Sequence, residues 1–237
     1  MMKKKVLASL LVGSAVVGAS LAPLSAQAVT TGNTPVTVGF EGGLLPDTNG
    51  ESNTVRPDPE ATNSNFDLLY IPREFDFGTL SISDDLTQPI RNKWDEGAPN
   101  GQLEKVGVGD VRGTKEGWHV TAQSTGMKLG DESLEGSITS RVGLQPLIYN
   151  ETGNRYDHER IEVSDPATRP EIVNVADFSI PLGGDAVLLA NAAAGRGQGL
   201  WQFTMIPFLN ITTSANNIKA GNYTGNITWN LVAGPSI

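Results

Sequence analysis

The stretch from Gly221 to Val232 places Tyr223, Gly225, Ile227, Trp229 and Leu231 on one side of a period-two pattern and Asn222, Thr224, Asn226, Thr228 and Asn230 on the other. Successive side chains of a strand point to opposite faces, so the pattern predicts a strand with Trp229 and Leu231 inward and a hydroxyl-and-amide face outward. Two other stretches repeat a tryptophan with an apolar residue two places on, Trp118-His119-Val120 and Trp201-Gln202-Phe203. In the first, Trp118, Val120 and Ala122 face inward and His119 outward; in the second, Trp201, Phe203 and Met205 face inward and Gln202 and Thr204 outward.

From the N-terminal side, a short alternating strand is expected at Pro35 to Phe40, then a mobile polar loop from Pro46 to Asn65. Strands follow at Leu68 to Ile71, Phe75 to Ile82 and Ile90 to Trp94, with a loop at Gly97 to Gly101. Leu103 to Val108, Gly109 to Thr114 and Gly117 to Gln123 read as strand, tight turn, strand. Asp110 and Arg112 flank that turn, where they can bracket backbone groups or pair across the hairpin. Leu134 to Leu144, Glu171 to Ile180, Ala186 to Leu189, Leu200 to Ile206 and Phe208 to Thr213 are further strands, and Asn150 to His158 is a polar loop. Ala190 to Ala194 could make one helical turn, which Gly195, Gly197 and Gly199 stop from growing. Many short strands with turn signals between them predict an all-β fold, an antiparallel sandwich or partly closed barrel with long polar loops.

Composition changes this picture at the N-terminus. Lys3, Lys4 and Lys5, an apolar run from Val6 to Leu24 and the small-x-small site Ala26-Gln27-Ala28 predict a secretory signal peptide over residues 1–28. One domain over 29–237 follows, in which 29–65 holds the N-terminal strand and the mobile loop. Cleavage would take three lysines from the 17 basic residues, leaving 14 against 26 acidic ones, a net charge of −12. So acidic a chain is a poor partner for nucleic acid or anionic lipid. No cysteine is present, which excludes thiol catalysis, thiolate metal sites and attachment through a lipidated cysteine. No later apolar run is long enough to span a membrane, and Leu45-Pro46-Asp47-Thr48-Asn49 lies too early to act as a sortase signal.

Catalytic chemistry leaves little trace. His119 and His158 lack a second histidine at ligand spacing, and no G-x-S-x-G serine occurs. No metal or cofactor is expected. Asp84, Asp85, Asp157 and Glu159 are the carboxylates that could serve a secreted glycan-active enzyme, but adjacency in sequence does not place two of them across a substrate. Their other reading is loop solvation. The run Gly195-x-Gly197-x-Gly199 is followed by a strand rather than a helix, so it reads as a close backbone approach or a bulge and not as a dinucleotide loop. The tryptophans read as core anchors first and as sugar platforms second.

Asp110-Val111-Arg112-Gly113-Thr114 with Gly117-Trp118-His119-Val120-Thr121, and the distal Tyr223-Thr224-Gly225-Asn226-Ile227-Thr228-Trp229-Asn230-Leu231, resemble the two signature blocks of the WxL-domain family of Gram-positive surface proteins. Asp76-Phe77-Gly78 and the glycine-rich approach to Trp201 resemble its intermediate blocks. Val120 stands where that family usually has leucine, a change that keeps the position apolar. The resemblance runs from about Phe40 to Val232. It implies non-covalent attachment to the cell wall with peptidoglycan as ligand, and a place among other WxL proteins and membrane-anchored surface partners. A contribution to adhesion is also implied. Asp110, Arg112, Trp118, Val120, Trp201, Tyr223, Trp229 and Leu231 are then the motif or wall-binding residues.

Overall fold

A computed structural model describes residues 33–48, 50–93 and 103–236. The expected signal peptide, Trp94 and the loop expected at Gly97 to Gly101 lie outside the described residues. The chain divides into two compact units, Met1–Gly39 and Phe40–Ile237. In the first, the described residues 33–39 form no strand, so the alternation at Pro35 to Phe40 does not pair as expected; Val36 and Val38 are 90% and 78% exposed.

The described residues of the second unit form sixteen strands in chain order. They are β1 (Thr54–Val55), β2 (Phe66–Pro72), β3 (Ile90–Arg91), β4 (Glu104–Asp110), β5 (Trp118–Ser124), β6 (Met127–Leu129), β7 (Glu132–Leu134) and β8 (Gly136–Ser140). Then come β9 (Val142–Asn150), β10 (Arg155–His158), β11 (Glu171–Ile172), β12 (Phe178–Pro181), β13 (Val187–Ala192), β14 (Gly199–Met205), β15 (Phe208–Ile211) and β16 (Ile227–Ala233). A six-stranded sheet has the order β1-β2-β4-β14-β9-β10, and two four-stranded sheets run β11-β13-β5-β16 and β12-β8-β15-β3. All the pairings are antiparallel, as an all-β antiparallel fold requires.

Tryptophans line the space between the six-stranded sheet and β11-β13-β5-β16. Val106 and Val108 of β4 and Trp201, Phe203 and Met205 of β14 enter from one side; Trp118, Val120 and Ala122 of β5, Ala190 and Ala192 of β13, and Trp229 enter from the other. Both inner faces follow the period-two rule, which is how a sandwich makes its core. At one end the six-stranded sheet turns a corner into the third sheet, because β8 gives way to β9 at Arg141 and β14 gives way to β15 at Ile206 and Pro207. Ser140 Oγ holds that corner by accepting from the Ile206 amide at 2.9 Å.

The outer face of the six-stranded sheet is covered too. Every residue of β4 is buried, since a second cluster of Leu45, Leu69, Tyr70, Leu147 and Tyr156 packs on its far side. Gly107 makes this possible: a Cβ there would lie 2.7 Å from the Tyr70 ring. The polar segment expected at 46–65 holds β1 and is tied down by the Asp47–Arg56 pair at 3.0 Å and by Leu45 N–H donating to Ser64 O at 2.8 Å.

Several expected elements are cut differently in the structure. Residues Phe75 to Ile82 form no strand, although Phe77 is buried in a cluster with Ile138 and Leu209. Leu134 to Leu144 is not one strand but parts of β7, β8 and β9, and Glu171 to Ile180 holds only β11 and the start of β12. Asn150 to His158 is not a loop throughout; Arg155–His158 is a strand that returns along β9 and buries Tyr156. Ala190 to Ala192 continue β13 instead of starting a helical turn. The expected hairpin of β4 with β5 does not form, because β4 pairs with β2 and β14 while β5 pairs with β13 and β16 in another sheet.

Candidate functional site

The two signature blocks meet as neighbours in one sheet. β16 runs antiparallel beside β5 with Leu231 opposite Val120, Trp229 opposite Ala122 and Ala233 opposite Trp118. The apolar third positions of the two motifs therefore face each other across the ladder, and the tryptophans stand four positions apart.

Each tryptophan is anchored. Trp118 has no exposed surface, and its ring meets Phe203 edge-on at 6.3 Å between centroids. Its indole N–H donates to the Gly197 carbonyl at 3.0 Å, and the Trp201 indole donates to the same oxygen at 3.0 Å. A carbonyl oxygen has two lone pairs, so one peptide group satisfies both buried indoles. Gly197 reaches this position at φ +79°, and a Cβ on it would come within 2.5 Å of Trp118 Nε1. The glycine run is thus the close backbone approach expected from the sequence, with a partner that the sequence did not name.

Asp110 and Arg112 pair, but across a connection between sheets. Arg112 Nε and Nη2 reach the two Asp110 oxygens at 2.9 and 2.8 Å, and Nη2 also donates to Gly117 O at 3.0 Å, the residue that leads into β5. Glu116 takes Nη1, and the guanidinium lies 3.7 Å from the centre of the Phe66 ring. Only 2% of the Asp110 side chain is exposed, so this is a buried charge pair and not the surface pair whose worth is about 1 kcal/mol or less. Its carboxylate raises the Arg112 pKa further, first through these hydrogen bonds. Phe66 under the guanidinium carried no signal in the sequence, since β2 meets Arg112 only through sheet pairing.

Tyr223 stands apart from the other motif residues. Gly221 to Asn226 leave the line of β16; Thr224 bridges to Lys128 of β6, and the Tyr223 hydroxyl accepts from Lys219 N–H at 3.2 Å. Gln202, on the side of β14 opposite Trp201, is fully buried. Its amide oxygen accepts from Tyr70 Oη at 2.7 Å, and its nitrogen lies 3.0 Å from His158 Nε2. Burial pushes the Tyr70 hydroxyl well above its ordinary pKa, with the nearby Glu51 charge adding to the shift.

The outward sides of β5 and β16 form a polar face. Thr121 pairs with Asn230 and Gln123 with Thr228, and His119 Nδ1 lies 2.9 Å from Gly234 O. The side chains of Thr121, Thr228 and Asn230 make no hydrogen bond among the described residues, so their donors and acceptors face solvent. Beside β16 lies a groove of about 260 Å³, lined by Phe66, Leu68, Trp229 and Leu231 and by residues 56–58 and 61–63.

Three of the four candidate carboxylates are engaged elsewhere. Asp84 accepts from Ser81 N–H at 2.8 Å and Asp85 from Thr87 N–H at 3.1 Å, each closing its own turn. Asp157 is bound by Arg155 at 2.6 Å. The Thr87 hydrogen bonds lower the Asp85 pKa and the Arg155 hydrogen bond lowers that of Asp157, opposite to the raised pKa that a glycosidase general acid needs. No described helix is long and apolar enough to cross a membrane.

The family model described as "WxL domain surface cell wall-binding" matches residues 27–235. No similar protein of curated function and no similar solved structure is found for the chain.

Proposed function

The chain belongs to the WxL domain surface cell wall-binding family, and from that premise we propose that it is exported and held non-covalently on peptidoglycan. The contact surface would be the outward side of β5 and β16. The carrying observation is the division of labour between the two sides of these strands. The motif's inward side chains Trp118 and Val120 are wholly buried, which leaves the outward Thr121, Gln123, Thr228 and Asn230 to meet a ligand. Hydroxyl and amide groups both donate and accept, as the hydroxyls and acetamido groups of a wall glycan do. An acidic chain with uncharged groups on this face would bind a glycan by hydrogen bonding rather than by charge. Other WxL proteins and membrane-anchored surface proteins would share the complex.

The test is co-sedimentation of the purified chain from residue 29 with isolated cell walls. Gln123→Ala with Asn230→Ala should weaken retention about ten-fold while leaving the circular dichroism and melting unchanged. Undiminished retention of that folded variant would remove this face from the proposal, and no retention of the unmodified chain would remove wall binding itself.

A further inference from the structure

Among the described residues β16 is the last strand of its sheet and pairs on one side only, with β5. The Gly234 amide donates to Gly117 O and the Thr125 amide to Asn226 O, which fixes the phase of the ladder. In an antiparallel pair the bonded positions alternate, so the peptide groups of Thr228, Asn230 and Val232 point to β5. Those of Ile227, Trp229, Leu231 and Ala233 point outward. None of these outward groups has a hydrogen bond among the described residues. An open edge of this kind is a template for another strand.

Beside that edge the core itself comes to the surface. Phe66, Leu68 and Leu231 are only partly buried where they pack on the main core cluster, and with Trp229 they border the groove. A strand laid along β16 would drop alternate side chains onto these four and cover them.

The same chain carries a segment of matching form. Val36, Val38 and Phe40 alternate with Thr37 and Gly39, and their exposures are 90%, 78% and 93%. Residues 34–40 contain no charge and form no strand. They number seven, as β16 does, and extended they would span about 23 Å. Pro35 lacks an amide hydrogen, which suits a strand at a sheet edge.

We infer that residues 34–40 of one copy add as a strand to the free edge of β16 of a second copy, with Val36, Val38 and Phe40 in the groove over Trp229 and Leu231. Each copy then offers one donor segment and one acceptor edge, so the contact is head-to-tail and the assembly can extend beyond a dimer. This goes beyond attachment to the wall, because the outward face of β5 and β16 stays open.

The experiment measures mass by size-exclusion chromatography with light scattering on the chain from residue 29, across a concentration series. The expected result is a rise from one copy to two-fold and larger masses. Val36→Asp with Val38→Asp should hold the chain at one copy with an unchanged circular dichroism spectrum, since both side chains are exposed. An excess of a synthetic peptide of residues 33–41 should dissolve the assembly into peptide-bound single copies. Because the chain has no cysteine, Thr37→Cys and Asn230→Cys made in separate chains should cross-link when mixed and oxidised. A chain that stays at one copy at high concentration, assembly that persists in the double variant, or cross-linking only within a single chain carrying both cysteines would each overturn the inference.

Discussion

β5 and β16 carry the same tryptophan-x-apolar pattern and lie side by side, yet they are not equivalent. β5 is paired on both sides, by β13 and β16, and Trp118 and Val120 are fully buried. β16 is paired on one side among the described residues; Trp229 keeps 8% of its surface exposed and Leu231 is half-buried beside a groove. Trp118 also has its indole bonded to Gly197, in a contact shared with Trp201. The lesson is that a motif's chemistry depends on its place in the sheet: the central copy builds the core, while the edge copy closes the core and borders an opening.

Replacing the central tryptophan is the most direct way to break this comparison. Trp118→Ala removes a side chain with no exposed surface, and urea unfolding should record a loss of about 3–5 kcal/mol. Gly197→Ala comes next, at roughly 2–4 kcal/mol. The new methyl must sit at φ +79° against the Trp118 indole, and a blue-shifted or quenched tryptophan fluorescence should accompany the loss. Trp229→Ala should cost less than Trp118→Ala, about 2–3 kcal/mol, because its cavity can open into the groove and fill with water. Equal losses for the two tryptophans would remove the distinction between centre and edge.

Smaller effects sharpen it from the opposite sheet. Tyr70→Phe should lose about 1 kcal/mol at neutral pH by leaving the Gln202 amide oxygen without its donor. The folded pKa of Tyr70 lies above its unfolded value near 10.0. The stabilisation tied to its neutral form is therefore complete below pH 10 and is lost as pH rises toward the folded value. An alkaline unfolding titration should show that extra loss in the natural chain and a shallower one in Tyr70→Phe. The smallest effect belongs to Asn230→Ala on the outward face, within about 0.5 kcal/mol in the same unfolding measurement. A larger change there would mean that the face contributes to the fold.

Much of the candidate site was legible in the residues. Trp118, Val120, Trp201 and Trp229 were expected inward and are buried, because the alternation of side chains along a strand is a property of the local backbone. Gln202 obeys the same alternation and lies opposite Trp201, yet it is buried. Its side of β14 faces the second cluster rather than water, since Tyr70 and His158 arrive there from other strands. Asp110 and Arg112 were expected to pair and do, but between sheets and over Phe66. Residues 34–40 show the converse case, an alternation that forms no strand among the described residues.

The sequence by itself determined the strand class, the inward tryptophans, the acidic surface and the resemblance to the WxL family, all of which rest on residue identity and local periodicity. Tertiary structure alone decided that β4 and β5 part into different sheets, that Gly197 serves two indoles, and that β16 ends its sheet beside a groove. The physical reason is that a strand's faces follow from its own dihedral angles, while its neighbours are chosen by burial and hydrogen bonding summed over the whole chain. Trp118 and its Gly197 acceptor lie 79 residues apart, and nothing in either stretch alone specifies the other.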